Sequence, residues 1–508
     1  MRASKLGLIF VALSFLTAAA DPSSRLGTVS FPTSCSAGVQ TPFERGVALL
    51  HSFEYNAAAA QFQEVERQEP GCAMAYWGDA MSIYHQLWDR PSKTSLEEGA
   101  ALVHKAEAAS PKNARERGYI HAAAAFYDNP NIAYDARAQA YSQALGQLHK
   151  QFPRDDEAAA FYALSLIASP HSSDNNFASH RQAVAILNGI FARHPNHPGA
   201  AHYLIHACDN PQMAAEGLAA ARRYAEIAPA SAHAIHMPSH IFARLGLWHD
   251  DVQSNIASKR TAEQQHETAA RLHAMGFLQY AYLQLGDFTK AKAVETEAVN
   301  VPQSDYMAGM RASFYYTQAH FPGLYLLETK AWKDAQSLPL APQAPPDLAA
   351  QVFWTRAVAA GHLRDASSAK EAVHNYDLSL EAVRKTSYAY VADEMKADTH
   401  EAHAWLAYAE GNLRGAKEIL EVTADEQDRT GKRDVDLPAR EMLADMLLDS
   451  NQPADALTEY TRSLKANPNR LHGLCGAVRA AGMAHQPDTA RMYRNMVAKG
   501  RAIRDCPE

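Results

Sequence analysis

Phe277-Leu278-Gln279-Tyr280-Ala281-Tyr282-Leu283-Gln284-Leu285-Gly286-Asp287-Phe288-Thr289-Lys290-Ala291 reads as one helix, a turn at Gly286 and the start of a second helix. The glycine stands where a chain leaving a helix needs backbone freedom. The same order returns from Ala402 to Ala416, with Trp405 ahead of Gly411 and Leu413 after it. Degenerate copies run from Phe43 to Lys499: an Ala-rich helix, a turn, a second helix and, in many, a proline. Such self-similarity predicts stacked helix pairs, because one pair cannot bury its apolar stripe alone.

These segments resemble the tetratricopeptide repeat (TPR) family, whose helix pairs recur at about 34 residues. The resemblance covers most of the chain. It implies an all-α fold of TPR-like helix-turn-helix repeats stacked into a right-handed superhelical solenoid, with a peptide or protein partner in the concave groove. In that family, positions 4, 7, 8 and 11 of a repeat's first helix pack inward, while positions 2, 5, 9 and 12 face the groove.

Composition agrees with an array. The 508 residues exceed what a single hydrophobic core serves. Alanine runs at 57–60, 122–125 and 158–160, with hardly any β-branched runs, predict little or no sheet. Pro339, Pro342, Pro345 and Pro346 predict a linker over 339–347 between an N-terminal array, 41–338, and a C-terminal one, 348–508.

The first residues read as an export signal over 1–20: Arg2 and Lys5, an apolar stretch from Gly7 to Leu16, then Ala18-Ala19-Ala20. An N-terminal extension over 21–40 follows. The apolar stretch is too short to span a bilayer, and no later segment is apolar enough, so no transmembrane segment is expected beyond the signal. The protein is expected to be secreted or periplasmic. That compartment permits disulfides among the five cysteines, and we expect Cys35 with Cys72 and Cys475 with Cys506, leaving Cys208 free. A formal charge of -8 with no basic stripe argues against a nucleic-acid partner.

Half of the 24 histidines fall between His171 and His273. His202 and His206 lie four apart, on one helical face, and His236 and His240 stand 34 residues after them, in the same places of the next repeat. With Gly246 at repeat position 15, His233, His236 and His240 occupy groove positions 2, 5 and 9 of the family. The same alignment puts His273 at position 2 and His320 at position 5 of later copies, and Trp77 and His85 at positions 5 and 13 of an earlier one, so an aromatic wall is expected there. An earlier copy carries Phe161 and Ser165 where His202 and His206 stand, so folding does not require histidine at these places.

Imidazoles clustered from neighbouring helices suit a divalent transition metal, copper or zinc foremost, rather than calcium or magnesium. The expected ligands are His202, His206, His233, His236 and His240. Asp209, Asp250 and Asp251 are candidates to supply a carboxylate or to orient the rings, and Cys208 is a candidate soft ligand. Pro238 should kink or interrupt the helix between His236 and His240. Asp398, Glu401, Glu441 and Asp445 also fall on groove positions. No phosphate-binding glycine loop, His-Glu-x-x-His zinc signature or nucleophile elbow is present. The sequence therefore reads as an exported scaffold with a metal site in its groove. The competing reading is a metal-dependent hydrolase or oxidase using the same histidines, and no catalytic residues can be assigned.

Overall fold

The computed structural model describes residues 25–169, 174–306, 311–432, 436–503 and 506. The export signal expected over 1–20 lies outside them. Among the described residues there is no strand. The chain is an all-α array of helix hairpins, such as Ala37–His51 with Tyr55–Gln68, Pro198–Cys208 with Ala214–Ile227, and Leu471–Met483 with Pro487–Ala498. First helices of successive hairpins also pack on one another, as Asp156–Ile167 does on Pro198–Cys208.

The two helices of a hairpin are used differently. Ala439–Asp449 is buried at nearly every position from Ala439 to Leu448, as a helix enclosed by neighbours on all sides must be. Leu413–Thr430 buries only Ala416, Leu420, Thr423, Ala424 and Gln427, one stripe at helical spacing, and leaves its charged face to water. First helices thus form the inner layer and second helices an amphipathic outer layer.

Two of the turns join a left-handed glycine to a side-chain cap. Gly286 and Gly411 have φ of 69° and 86°, and the side chains of Asp287 and Asn412 accept from the backbone N–H groups of Lys290 and Gly415. Lys330, Arg364, Asn451 and His485 adopt the same positive φ at other turns, so the conformation belongs to the repeat and glycine is not required by it. Gly246 and Gly286 have a second reason. A Cβ on Gly246 would stand 2.1 Å from the carbonyl oxygen of Pro468, and one on Gly286 would stand 2.7 Å from Ile503.

Those contacts arise because the C-terminal part of the chain folds back on the middle. Trp248 Nε1 donates to the Asn469 carbonyl at 2.8 Å, the Leu471 N–H to Gln284 Oε1 at 2.9 Å, and Arg244 Nη2 to the Lys432 carbonyl at 3.0 Å. Arg470 is buried in the seam, bonded to Glu441 at 3.0 Å and Glu328 at 2.8 Å and in contact with the Tyr280 hydroxyl. It ties three first-layer helices together. Removing one partner of such a buried pair strands the other charge.

Cys35 is joined to Cys72 and Cys475 to Cys506, while Cys208 is free and buried. Trp77 is not part of a groove wall. It is 1% exposed and packed among Phe31, Tyr119 and Phe161, because the first helices are enclosed on more sides than a simple two-faced helix. Pro346 begins the helix Pro346–His362, and residues 337–345 connect it irregularly to Trp332–Gln336. No described helix is long and apolar enough to cross a membrane.

We expect Gly411→Ala, which meets no atom within 4 Å, to cost only the left-handed strain of about 1–2 kcal/mol. Gly246→Ala adds a backbone collision and should cost roughly 1–3 kcal/mol more. Urea unfolding of the two variants checks this; equal losses would contradict the docking of 467–471 on that turn.

Candidate metal centre

The helix Pro198–Cys208 starts with proline at its first position and a cap from His197, whose Nδ1 accepts the Ala200 N–H at 3.1 Å. This fixes the phase that puts His202 and His206 on the inner face. In the next repeat, Ser231 caps Ala232–His236 by accepting from the Ala234 N–H. The helix breaks at Pro238 and resumes as Pro238–Arg244, yet Met237 keeps helical angles, φ -52° and ψ -35°, so His236 and His240 remain on one side. His273 comes from Thr268–Gln284.

The rings gather into two groups of three. His202 Nε2 lies 3.1 Å from His206 Nε2 and 3.2 Å from His233 Nε2. His236 Nε2 lies 3.1 Å from His240 Nε2, and a ring nitrogen of His273 joins them, all three within 4.8 Å of one another. The five histidines expected from sequence are therefore all present, but divided between two triads. His273, expected only as a groove or supporting residue, completes the second.

The outer nitrogens decide what the inner ones can be. His202 Nδ1 donates to the His51 carbonyl at 2.6 Å. His236 Nδ1 donates to Asn255 Oδ1 at 2.7 Å, and the Asn255 amide is oriented by donating its own NH₂ to Asp251 Oδ1 at 2.7 Å. His240 Nδ1 donates to Asp209 Oδ2 at 2.9 Å, whose other oxygen accepts from Arg244 at 2.8 Å. A neutral imidazole carries one N–H, so a proton held at Nδ1 leaves a lone pair at Nε2. In His236 and His240 both protons are held outward, and the two lone pairs face each other at 3.1 Å. Two such lone pairs repel, and a proton or a metal ion between them would relieve the contact. One proton could bridge two nitrogens, and a third imidazole at the same point would give a metal ion three nitrogen donors.

Burial disfavours the charged form of four of the rings. Desolvation, and then the charge of neighbouring imidazoles, pushes His202, His233 and His236 well below the usual histidine range and His206 down to about 3. Asp209 behaves oppositely: burial would raise it, but Arg244 and His240 hold it well below the ordinary carboxylate range.

Each triad is backed by a phenylalanine. The Phe53 ring lies 4.4 Å from His202 and 5.4 Å from His206, and Trp88 meets His233 edge-on at 5.3 Å. Phe277 lies 4.9 Å from His236 and 4.6 Å from His240. His51, Phe53, Asn255 and Phe277 are all supporting residues that the sequence does not single out; Phe277, four residues after His273, is the one that helical spacing could have found.

Other candidates lie elsewhere. Cys208 packs beside Gly217, and burial pushes its thiol up to about 12, which disfavours the thiolate a soft ligand needs. Asp250 is half exposed, 4.0 Å from Arg222. His85 stacks on Tyr55 at 4.2 Å and bonds Asp89, and His320 stacks on Tyr316 and meets Gln351. Glu401 and Glu441 are held by Lys432 and Arg470 in buried ion pairs, and Asp445 is hydrogen-bonded to His472 Nε2 at 2.7 Å. A further group, His51, Glu157 and His197, has its carboxylate between the two imidazoles, with His51 Nε2 at 2.7 Å. It anchors His51, and through the His51 carbonyl it orients His202.

No protein-family model and no curated protein matches the chain. Among solved structures, similarity is found to the human IFIT1 dimer with PPP-AAAA, at 12% identity and TM-score 0.39 over 89% of this chain and 94% of that one. The P58(IPK) TPR domain is 13% identical with TM-score 0.21 over 89% and 99%. The Naa15/Naa10 complex bound to HypK-THB is 13% identical with TM-score 0.23 over 91% and 70%. Likeness at this distance says nothing of what the present chain binds; the helix order and packing described above carry the fold.

In metal-free protein the lowered histidines bind protons when unfolded, near pH 6.5, but not when folded. Their stabilisation is therefore complete above about pH 6.5 and lost as pH falls toward the folded values, because the unfolded state then takes up more protons. We expect the urea midpoint of chelator-treated protein to fall from pH 7 to pH 4, and to fall less steeply in His202→Phe/His206→Ser, which copies Phe161 and Ser165. An equal slope would contradict the neutral, buried state of these rings.

Proposed function

We propose that the protein is an exported helical-repeat scaffold that binds a divalent transition metal, copper or zinc, at the histidine cluster of its concave face and holds a peptide or protein partner beside it. The observation that carries the metal reading is the pair of Nε2 atoms of His236 and His240, 3.1 Å apart with both Nδ1 protons donated outward. Neutral nitrogen donors suit these metals, and the outer N–H groups of His202, His236 and His240 have the carbonyl, amide and carboxylate partners that metal-bound histidines characteristically use. Export is supported by the two disulfides, which persist in oxidising compartments. The partner reading rests on the array itself, since stacked hairpins present extended concave surfaces.

Metal content of tag-free protein tests this reading. Copper or zinc should be present, or be taken up on reconstitution, and should be lost when His202→Phe/His206→Ser is combined with His236→Ala/His240→Ala while helical circular dichroism is kept. Asp209→Asn, which weakens the support of one ring, should lower affinity about 10–100-fold. No uptake by the wild-type protein would overturn the metal reading.

A further inference from the structure

The two triads are the same device built twice. In each, an i, i+4 pair of histidines on a first helix meets one histidine from the next repeat: His233 follows His202 and His206, and His273 follows His236 and His240. Each has an outer acceptor fixing a ring and a phenylalanine behind it. Stacking repeats carries one triad onto the other. The closest rings between them are His233 with His236, centroids 6.2 Å apart, and His206 with His240, 6.3 Å apart. Those pairs belong to different triads; within the triads the contacting ring centroids lie 4.3–6.0 Å apart, and the Nε2 atoms of His202 and His206, His202 and His233, and His236 and His240 approach to 3.1–3.2 Å. One ion with bonds of about 2.0–2.1 Å can draw three of these nitrogens together but cannot reach all six.

The charge balance is unusual. Six neutral imidazoles bring no negative charge to two divalent ions. Asp209, the carboxylate bonded to the ladder through His240, already serves Arg244. Asp251, behind Asn255, is pushed well above the usual carboxylate range by burial. Three protein ligands also leave a tetrahedral ion with one open position.

We propose that the histidine ladder holds two metal ions in adjacent three-histidine sites, and that the loaded pair is a receptor for an anionic group of the carboxylate class, such as a peptide carboxylate entering the groove. This rests on the metal reading above and adds stoichiometry, ligand assignment and ligand chemistry. The open position of each ion faces a donor set without charge, so an anion entering it neutralises charge that the protein leaves uncompensated.

Zinc titration of the metal-free full-length protein by calorimetry and by metal analysis after gel filtration should give two equivalents. His233→Ala and His273→Ala should each retain one, and the double variant none, with circular dichroism confirming that each is folded. One equivalent in the wild-type protein, or loss of all binding in either single variant, would overturn the two-site assignment while leaving a metal site. No zinc in the wild-type protein would overturn the metal reading itself. With cobalt(II) in both sites, acetate should shift the visible absorption bands in a saturable manner and do so in each single variant; bands unmoved by acetate would overturn the anion receptor while leaving the two sites.

Discussion

The outward hydrogen bonds of the histidines govern the rest of the site. A carbonyl at residue 51, an amide at Asn255 and a carboxylate at Asp209 hold three Nδ1 protons away from the centre, and the lone pairs left at Nε2 face neighbouring rings in triads that run from the buried His202 and His236 to the exposed His273. Such convergence is unfavourable in an empty protein, because acceptors facing one another gain nothing from each other and have lost their hydration. The surrounding fold enforces it. The supports themselves are anchored: Asn255 by Asp251, Asp209 by Arg244, and the backbone of His51 by its side chain's bonds to Glu157 and Tyr203.

The array makes such enforcement possible. Repeating a hairpin places equivalent side chains of successive first helices in a row, so a histidine pair once introduced can be duplicated by the next repeat. Completing each triad with a ring from the following repeat couples two hairpins at each point, and three hairpins across the pair. The fold-back of the C-terminal part adds a second restraint, since Arg244 bonds both Asp209 and the Lys432 carbonyl and thereby links the support of His240 to the distant half of the chain.

Much of this is legible in the sequence, for identifiable reasons. Helical class, hairpin turns and the gathering of the histidines on successive first helices follow from local spacing, and local spacing is what a repeat preserves. The 34-residue offset between His202/His206 and His236/His240 exposes the duplication directly. What spacing does not reveal is how the rings divide. His233 is nearer in sequence to His236 but lies with His202, because the helix start at Ser231 turns it toward the preceding repeat. Trp77 is misread as a wall residue for a related reason: inner-layer helices bury nearly every side, so a groove position in one repeat is core in another. Asn255 and the His51 carbonyl are invisible to motif reading, being an ordinary amide on a second helix and a backbone atom.

The most direct test of the account is anomalous diffraction at the zinc edge from crystals grown with zinc. It should show density equidistant from the Nε2 atoms of His236, His240 and the ligating nitrogen of His273, with His236 and His240 still donating outward to Asn255 and Asp209. Absence of such density, together with an imidazole turned so that an N–H of one ring donates to its neighbour, would contradict it.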